Sequence, residues 1–448
     1  MGWKELYLKE DWWAIWLGLG IVIVAYLFFA SGSSIRWIAV TPSKWSSFDQ
    51  LANDFVKKIP QYLAQFCMWL AIFSASMKIL GHKLSEFIPS FIFVYVFSIL
   101  IIILGAWKYA STYTLEPPLV ALVLGMIISN FIGLPRWMDT GFRVEYYIKT
   151  GIVLLGATLP FTLVIWAGPT AIFQATIISV ATFLTIFFVG RKLGIDPRLC
   201  ATLGAGGAVC GVSAAIAVGG AVGAKKEDMP VAIALVVIWA IAMIFFLPLV
   251  SRMLGLPTGV AGAWIGSSEF ADAAGFAAAQ AYGGYAGQVA GITGTSEQSI
   301  QAFTLMKVVG RDIWLGIWAF VMAIIATTVW ETKGGAKPHA GEIWWRFPKF
   351  VIGFMLASVI MTLIAANYTM ADFNKEVVPV LVSPIKNLRT WAFAFCFFSI
   401  GLTTRFRELA AAGGKNFLAF SAGATLNVIL GFLMSAVVFY QFWANLGQ

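Results

Sequence analysis

The sequence predicts an all-α polytopic membrane protein, and its composition, its apolar runs and its glycines support this prediction. Sixty per cent of the 448 residues are hydrophobic and 11% are charged, whereas about a quarter of the residues of a soluble domain are charged. Apolar runs long enough to cross a bilayer recur along the whole chain. Several of these runs are rich in glycine, which weakens a helix. Some of the transmembrane helices are therefore expected to be discontinuous.

The apolar runs predict about 11–13 transmembrane helices. The runs lie near residues 12–30, 61–81, 87–107, 118–134, 143–166, 170–190, 199–222, 229–250, 299–328, 347–367, 388–404 and 416–445. A stretch rich in Gly and Ala at 258–284 is a further candidate, which either crosses the membrane or re-enters it.

Basic residues in the short loops indicate the orientation of the chain. The positive-inside rule places the N-terminus, with Lys4 and Lys9, in the cytoplasm. If 258–284 crosses, the chain has thirteen spans and its C-terminus lies outside. The connection at 225–228, whose two lysines are balanced by Glu227 and Asp228, then lies outside. A hairpin at 258–284 would require another segment to be recounted.

Charge and cysteine usage exclude several classes of protein. In a membrane protein the net charge of +9 mostly reflects topology, so no nucleic-acid partner is expected. The four cysteines show no metal-ligand spacing, and only His82 and His339 could assist them. No cofactor and no metal are therefore expected. Without a nucleophile and base in one pattern, we expect no enzyme.

The chain divides into an added N-terminal part and a part with an internal repeat. Residues 1–110 are predicted to form an additional bundle of about three spans, and residues 111–448 a transporter domain. Within that domain Leu154–Gly168 and Ser399–Gly413 share Gly-x-Thr-x-x-Phe-x5-Ala-Gly at an offset of 245. The loop after the second copy is basic and the loop after the first is not. The sequence therefore predicts inverted-topology repeats, which are common in secondary transporters.

The segment "GAGGAVCGVSAA" is the first candidate site. Gly206, Gly207 and Gly211 would allow a break within 204–215, with Cys210 and Ser213 as small donors. A break exposes the N–H groups of one half-helix, which suit an anion. The alternative is close packing of helices through small residues.

The segment "WIGSSEFADAAG" (264–275) is the second. Ser267 and Ser268 resemble a helix start, where hydroxyls cap free N–H groups. Glu269 and Asp272 would share one helix face, and carboxylates at membrane depth usually mark an ion or proton path. The alternative is that this stretch lies at the membrane surface.

The segment "TLMKVVGRDIWLG" (304–316) is the third. Lys307 and Arg311 are four residues apart within an apolar span, and Asp312 is adjacent. They either form internal ion pairs, for example of Arg311 with Glu269 or Asp272, or attract an anion, for which arginine offers a planar fork.

From about Leu115 to the C-terminus the chain resembles the YeiH-type sulfate exporter family. The resemblance rests on "YYIKTGIVLLGATLPF", "GAGGAVCGVSAAIAV", "GAWIGSSEFADAAGFAAA", "GRDIWL" and "FCFFSIGLTTRFRELAAAGGK". It implies a bacterial inner-membrane carrier related to the cation/proton antiporter and anion transporter superfamily, whose members have inverted repeats, are dimeric and often move as elevators. The chain departs from the family at Phe270 and Ala271, where similar proteins carry a His-Glu pair, and at Val308, where many carry Lys.

We therefore expect a secondary transporter in the bilayer that moves a small anion, with a sulfur oxyanion or sulfonate as the first substrate. The anion would bind near Gly206, Gly207, Cys210, Gly211, Ser213, Ser267 and Ser268, with charge from Lys307 and Arg311. Glu269, Asp272 and Asp312 would bind a coupling proton or sodium ion, and the protein would be a homodimer. The alternatives are a cation/proton antiporter and a non-transporting subunit of a larger complex.

Overall fold

The computed structural model describes residues 5–110, 115, 117–158, 161–225, 228–330, 348–369, 372–406 and 413–447. Throughout these ranges the regular secondary structure is helical and no strand forms, which confirms the all-α prediction. The predicted repeat falls partly outside the described residues, at 159–160 and 407–412.

The first half of the chain contains helices α1 to α9. They are α1 (Glu5–Leu8), α2 (Glu10–Ala30), α3 (Phe48–Ile79), α4 (Leu84–Gly105), α5 (Pro117–Ile127), α6 (Val144–Gly156), α7 (Phe161–Lys192), α8 (Pro197–Ala208) and α9 (Val212–Ala221). Short 3-10 turns lie at Ile35–Trp37 and Arg136–Gly141, and a π-helical turn, Ile128–Ile132, continues α5.

The second half contains helices α10 to α18. They are α10 (Asp228–Met253), α11 (Thr258–Ser268), α12 (Asp272–Gly283), α13 (Ser296–Thr304), α14 (Trp314–Ile325), α15 (Phe350–Ala365), α16 (Ser383–Thr403), α17 (Gly414–Phe432) and α18 (Tyr440–Ala444). Wider π-helical turns lie at Leu305–Arg311, Ala326–Trp330, Phe373–Val382 and Leu433–Val438.

Among the described residues, seven helices are long and apolar enough to cross a membrane. They are Glu10–Ala30, Phe48–Ile79, Leu84–Gly105, Phe161–Lys192, Asp228–Met253, Ser296–Trp330 and Gly414–Val438. The chain is therefore a polytopic membrane protein, as the composition predicts.

The helices form two compact units. The first comprises residues 1–164 and 349–404, and the second comprises residues 165–348 and 405–448. All the candidate site residues lie in the second unit.

The first unit has a core of aromatic side chains that links its N-terminal helices to α6 and α16. The ring of Phe395 on α16 lies 6.3 Å from Phe73 on α3, 5.3 Å from Phe91 on α4 and 5.7 Å from Tyr147 on α6. The proposed origin of residues 1–110 as an added bundle stays a prediction, but two of its helices, α3 and α4, share one core with later helices.

Two glycines matched in the predicted repeat lie at close helix contacts within the first unit. Gly156 packs against the carbonyl oxygen of Phe354, and Gly401 packs against the backbone of Leu122 and Gly125. Any larger side chain would collide at both positions, so a shared packing requirement accounts for this part of the match. The inverted orientation of the repeats stays a prediction.

In the second unit α8 and α9 form an antiparallel hairpin. A Cβ at Gly206 would lie 3.6 Å from Ala215, and one at Gly219 would lie 3.1 Å from Thr202 Oγ1. Near the base, Arg198 Nη1 donates to the carbonyl oxygen of Gly223 at 3.0 Å. Because the paired residue numbers run in opposite directions, segment 199–222 turns back on itself. The prediction that it spans the membrane is wrong.

Helices α11 and α12 form a second hairpin. Gly262 and Gly266 of α11 pack in order against Ser299 and Phe303, so α11 runs parallel to the helix that begins at α13. Helix α12 contacts the same two residues in the opposite order. Ser299 Oγ donates to the carbonyl oxygen of Ala279 at 2.8 Å, and the earlier residue Gly275 packs against Phe303, so α12 runs antiparallel to α11. Segment 258–284 therefore re-enters, and the count that required it to cross is wrong.

The tips of the two hairpins meet beside α10, which has 26 residues and is about 39 Å long at 1.5 Å per residue. One hairpin precedes α10 and the other follows it, so their bases lie at its opposite ends. A Cβ at Gly211, in the first tip, would lie 2.5 Å from the carbonyl oxygen of Phe270, in the second, and 2.7 Å from Val236 of α10. The Phe270 ring lies 6.4 Å from Trp239, further along α10. Both tips therefore lie well inside the length of a spanning helix.

Candidate functional site

The chain is unwound at both hairpin tips. Between α8 and α9, Val209 has φ −124° and ψ −116° and Gly211 has φ 71° and ψ −111°. Between α11 and α12 the backbone is extended at Glu269 and Ala271. Discontinuous helices are therefore confirmed, at Val209–Gly211 and at residues 269–271.

Arg311 joins the ends of α8 and α11. At the end of α8 its Nη2 donates to the carbonyl oxygen of Gly207 at 3.2 Å, and its Nε donates to that of Ala208 at 3.4 Å. At the end of α11 its Nη1 donates to the carbonyl oxygens of Ser267 at 2.7 Å and Glu269 at 2.9 Å. The guanidinium group is completely buried.

Lys307 joins the same two ends one turn away. Its Nζ donates to the carbonyl oxygens of Val209 at 2.8 Å, Glu269 at 2.9 Å and Phe270 at 3.4 Å. It also lies 3.5 Å from Oδ1 of Asp272. Like Arg311, Lys307 is fully buried.

These contacts satisfy the groups that a broken helix leaves unpaired. The last carbonyls of a helix have no partner within the helix and carry partial negative charge. Two basic side chains therefore stabilise the C-terminal ends of α8 and α11 together. Both come from a π-helical turn, Leu305–Arg311, a feature frequent at functional sites.

The N-terminal ends of the second half-helices differ in charge. Helix α9 begins at Val212, after Gly211 as its N-cap residue, with no side-chain cap and no acidic residue in its first turn, where Ser213 is half-buried. Helix α12 carries Asp272 in its first turn. The Oε1 atom of Glu269 accepts hydrogen bonds from the N–H groups of Phe270 at 2.9 Å and Ala271 at 3.2 Å. Carboxylates therefore lie at the start of α12, and no acidic residue lies in the first turn of α9.

Three carboxylates are buried near the tips, namely Glu269, Asp272 and Asp312. Glu269 is completely buried, and within the described part of the chain its Oε2 atom has no hydrogen-bond partner. The Glu269 side chain is therefore enclosed by protein and shielded from solvent.

The glycines of the first segment have two different roles. Gly206 and Gly207 lie in the last turn of α8, where they pack against Val236 and Ile186. Their backbone N–H groups lie inside a helix, and their use as anion ligands stays a prediction. Gly211 occupies the break, and Cys210 beside it is buried. Packing and breakage, posed as alternatives, both occur a few residues apart.

Ser267 and Ser268 do not begin a helix. They are the last two residues of α11, and α12 starts at Asp272 without a side-chain cap. Ser267 Oγ donates to the carbonyl oxygen of Trp264 at 2.9 Å. Serine favours helix starts but also bonds back to a carbonyl of the preceding turn, and here the second pattern is realised.

Lys307 and Arg311 were predicted either to form internal ion pairs or to attract an anion, and an ion pair forms at one of them. The carboxylate within ion-pair distance belongs to Asp272, and its partner is Lys307. Arg311 binds the backbone of Glu269 instead of its side chain. The carbonyl groups that receive the cations were missed, since every residue has one and the sequence carries no signal for them. The use of Lys307 and Arg311 as substrate ligands stays a prediction.

Comparison with known proteins places the chain in a family. The family model described as conserved hypothetical protein 698 matches residues 89–420. Two UPF0324 membrane proteins of Nitratidesulfovibrio vulgaris are similar, one 34% identical over 82% of this chain and 62% of its own length, the other 33% identical over 92% and 69%. A UPF0324 membrane protein of Rhodopirellula baltica is 31% identical over 92% of this chain and 74% of its own length.

The chain thus spans less than two thirds of the first of these relatives. No solved structure matches it. The match to the family model and the extent of the similarity lead to one conclusion: the chain belongs to the UPF0324 family of membrane proteins.

Proposed function

We propose that the protein is a secondary transporter that moves a small anion across the bacterial inner membrane. The observation that carries this proposal is the meeting of two re-entrant hairpins, unwound at their tips, within the length of a spanning helix. Irregular backbone at membrane depth is tolerated only where it is buried in protein or lines a cavity. Discontinuous helices at that depth form the substrate and ion sites of secondary transporters.

The anion would bind at the start of α9. The first N–H groups of a helix lack partners within it and carry partial positive charge. At Gly211–Ser213 no acidic side chain competes for them, and Cys210 and Ser213 are small neighbours. Sulfate, sulfite and small sulfonates are the first substrates to test, because the sequence resembles the YeiH-type exporters. The same resemblance supports a homodimer, an elevator motion and a cytoplasmic N-terminus.

A cation/proton antiporter is the second candidate. It is favoured by the carboxylates of Glu269, Asp272 and Asp312, which outnumber the buried cations Lys307 and Arg311 near the tips. Carboxylates buried at membrane depth commonly bind the transported or coupling ion. Such a protein would move sodium or protons with no added anion.

Counterflow in proteoliposomes tests the proposal. Purified protein would be reconstituted with unlabelled anion inside and labelled sulfate, sulfite, thiosulfate or a small sulfonate outside. Transient accumulation of one label, absent from protein-free liposomes, is the expected result. Ion movement that follows a sodium or pH gradient without any anion would favour the antiporter. Failure to move or bind any solute would indicate a non-transporting subunit.

Ser213 allows a matched pair of variants at the proposed anion site. Ser213→Asp adds a carboxylate at the first turn of α9, where it stabilises the helix and occupies the positive end. Ser213→Asn has nearly the same shape without the charge. We expect counterflow to fall at least tenfold in Ser213→Asp and less than threefold in Ser213→Asn. Equal rates in the two variants would place the anion elsewhere.

A further inference from the structure

We propose that Lys307 and Arg311 permanently occupy the place of a metal cation at the paired helix ends, and that a proton carried by Glu269 is the coupling ion. Transport would then require no sodium. This inference rests on the proposed transport function and assigns its coupling ion.

The first step concerns the carbonyl groups at the hairpin tips. In transporters with broken helices, unwound carbonyls and half-helix C-termini coordinate sodium. Here the carbonyl oxygens at the ends of α8 and α11 already accept hydrogen bonds from two side chains of positive charge. The accepting residues are Gly207, Ala208, Val209, Gly266, Ser267, Glu269 and Phe270.

Both cations are fully buried, so a sodium ion could reach these oxygens only by displacing a side chain that is fixed to the same helix turn. Since an uncompensated buried charge is strongly unfavourable, that exchange is disfavoured.

The second step concerns the Glu269 side chain. Two backbone N–H groups hold its Oε1 atom, which fixes the orientation of the carboxyl group. The Oε2 atom is buried and, among the described residues, has no hydrogen-bond partner. Buried polar atoms are nearly always paired, so this one requires an explanation. A proton on Oε2 provides it, because a neutral carboxyl group costs far less to bury than a carboxylate.

The charged and titratable groups around Glu269 distinguish it from Asp272. Lys307 and Arg311, from the π-helical turn, meet Glu269 through its carbonyl oxygen only. Lys307 lies within ion-pair distance of the Asp272 carboxylate. Asp312 follows the same turn, and the Cys210 thiol lies at the tip of the other hairpin. Asp272 therefore has a compensating cation at its carboxylate. Within the described part of the chain the two cations contact Glu269 only at its backbone carbonyl oxygen, so the proton is assigned to the Glu269 carboxyl group.

The third step links the proton to the anion. Glu269 directly precedes Phe270, whose carbonyl oxygen lies against Gly211 at the start of α9. A carboxylate there opposes an anion at α9, and a neutral carboxyl group does not. One proton would bind to Oε2 as the anion binds, forming an O–H bond, and would dissociate with the anion on the other side. The transporter would therefore be a proton–anion symporter.

Flux measurements test the coupling ion. At fixed pH and membrane potential, replacing sodium by potassium or N-methylglucamine should change anion uptake less than twofold. An inward pH gradient should accelerate uptake at least fivefold. A tenfold loss of uptake without sodium would overturn the inference and leave the transport function intact.

Thermal unfolding in detergent tests the same inference without any transport. At constant ionic strength, exchange of potassium for sodium should leave the unfolding midpoint of the natural protein unchanged. Lys307→Ala removes the tethered ammonium group, so sodium should raise the midpoint of this variant by several degrees. A sodium-specific rise in the natural protein would refute the assignment of Lys307 and Arg311, even if no substrate were found.

Glu269→Gln tests the proton carrier. Glutamine retains an oxygen for the N–H groups of Phe270 and Ala271 but cannot take up a proton. Acceleration by the pH gradient should disappear, together with proton uptake recorded by a pH indicator, while anion counterflow persists. The control is Glu297→Gln, in the first turn of α13 and away from the tips, which should keep both responses. An unchanged pH response in Glu269→Gln would overturn the inference.

Discussion

The two hairpin tips have the same architecture and different chemistry. Each consists of a half-helix that ends, a short unwound segment and a second half-helix that begins. The C-terminal ends of α8 and α11 share the same two cations, Lys307 and Arg311. The N-terminal ends differ, because α12 is accompanied by Glu269 and Asp272 whereas α9 has no acidic residue in its first turn.

This difference is consistent with different proposed ligands at the two tips. Shared cations fix the two tips to each other, so that both sites form within one rigid cluster. In the proposed mechanism, the uncapped start of α9 would bind the anion and the carboxylate-lined start of α12 would bind the proton. Each prediction below tests one part of this comparison.

The largest effect is expected for Arg311→Ala, which removes the side chain that joins the tips. Five carbonyl oxygens lose a donor, and among the described residues only that of Glu269 keeps a second donor, Lys307. Each buried group left unpaired costs about 1–3 kcal/mol. We expect the free energy of unfolding to fall by about 4 kcal/mol or more and anion flux to be lost, while the protein remains inserted in the membrane. Thermal unfolding in detergent and counterflow measure the two effects.

Arg252→Ala is the control for the loss of a partly buried arginine. Its guanidinium carbon lies 4.9 Å from the ring centre of Tyr285, a contact worth about 0.5–1 kcal/mol. Stability losses of similar size at the two positions would show that Arg311 does not hold the tips together.

Gly211→Ala tests the crossing of the tips. Gly211 has φ 71°, and an added Cβ would lie 2.5 Å from the Phe270 carbonyl oxygen. Backbone strain and overpacking together should cost about 2–4 kcal/mol. The control is Gly220→Ala on the same half-helix, because no atom lies within 4 Å of that Cβ position. It should raise stability by about 0.5–1 kcal/mol. A stable Gly211→Ala variant would contradict the close approach.

The smallest effect is expected at the base of the second hairpin. Tyr282 Oη lies 2.5 Å from the carbonyl oxygen of Leu256 and 3.2 Å from that of Ser251. Tyr282→Phe removes this hydrogen bond and should cost about 1 kcal/mol, with counterflow unchanged because the tips are untouched. Tyr285→Phe should have almost no effect on the unfolding midpoint. Loss of flux in Tyr282→Phe would show that the base also controls the site.

The hairpins also resolve a difficulty in the predicted topology. With the N-terminus in the cytoplasm and thirteen spans, Lys225 and Lys226 lie outside, against the positive-inside rule. If 199–222 and 258–284 both re-enter, these lysines move to the side of Arg191, Lys192 and Arg198, and only Arg252 moves outside. Because two crossings are removed, every loop after 258–284 stays on the side first predicted, and the C-terminus is still predicted outside.

The sequence was informative where its signal was local. Glycine density marked both broken segments, since few other residues tolerate the φ of Gly211 or its contact with Phe270. Charged residues in apolar surroundings marked Glu269 and Asp272, which lie at one tip, and Lys307 and Arg311, which bind both tips. The sequence did not show that Ser267 and Ser268 end a helix, because serine is compatible with both helix ends.

The amino-acid sequence by itself determined the helical class, the membrane environment and which residues gather around the hairpin tips. It could do so because hydrophobicity and backbone propensity act over short distances. Only the tertiary structure decided that the two glycine-rich segments turn back instead of crossing. It also decided that the buried cations bind backbone carbonyls from both hairpins. The physical reason is that every residue has the same carbonyl group, so which carbonyls a cation reaches depends on how distant segments pack.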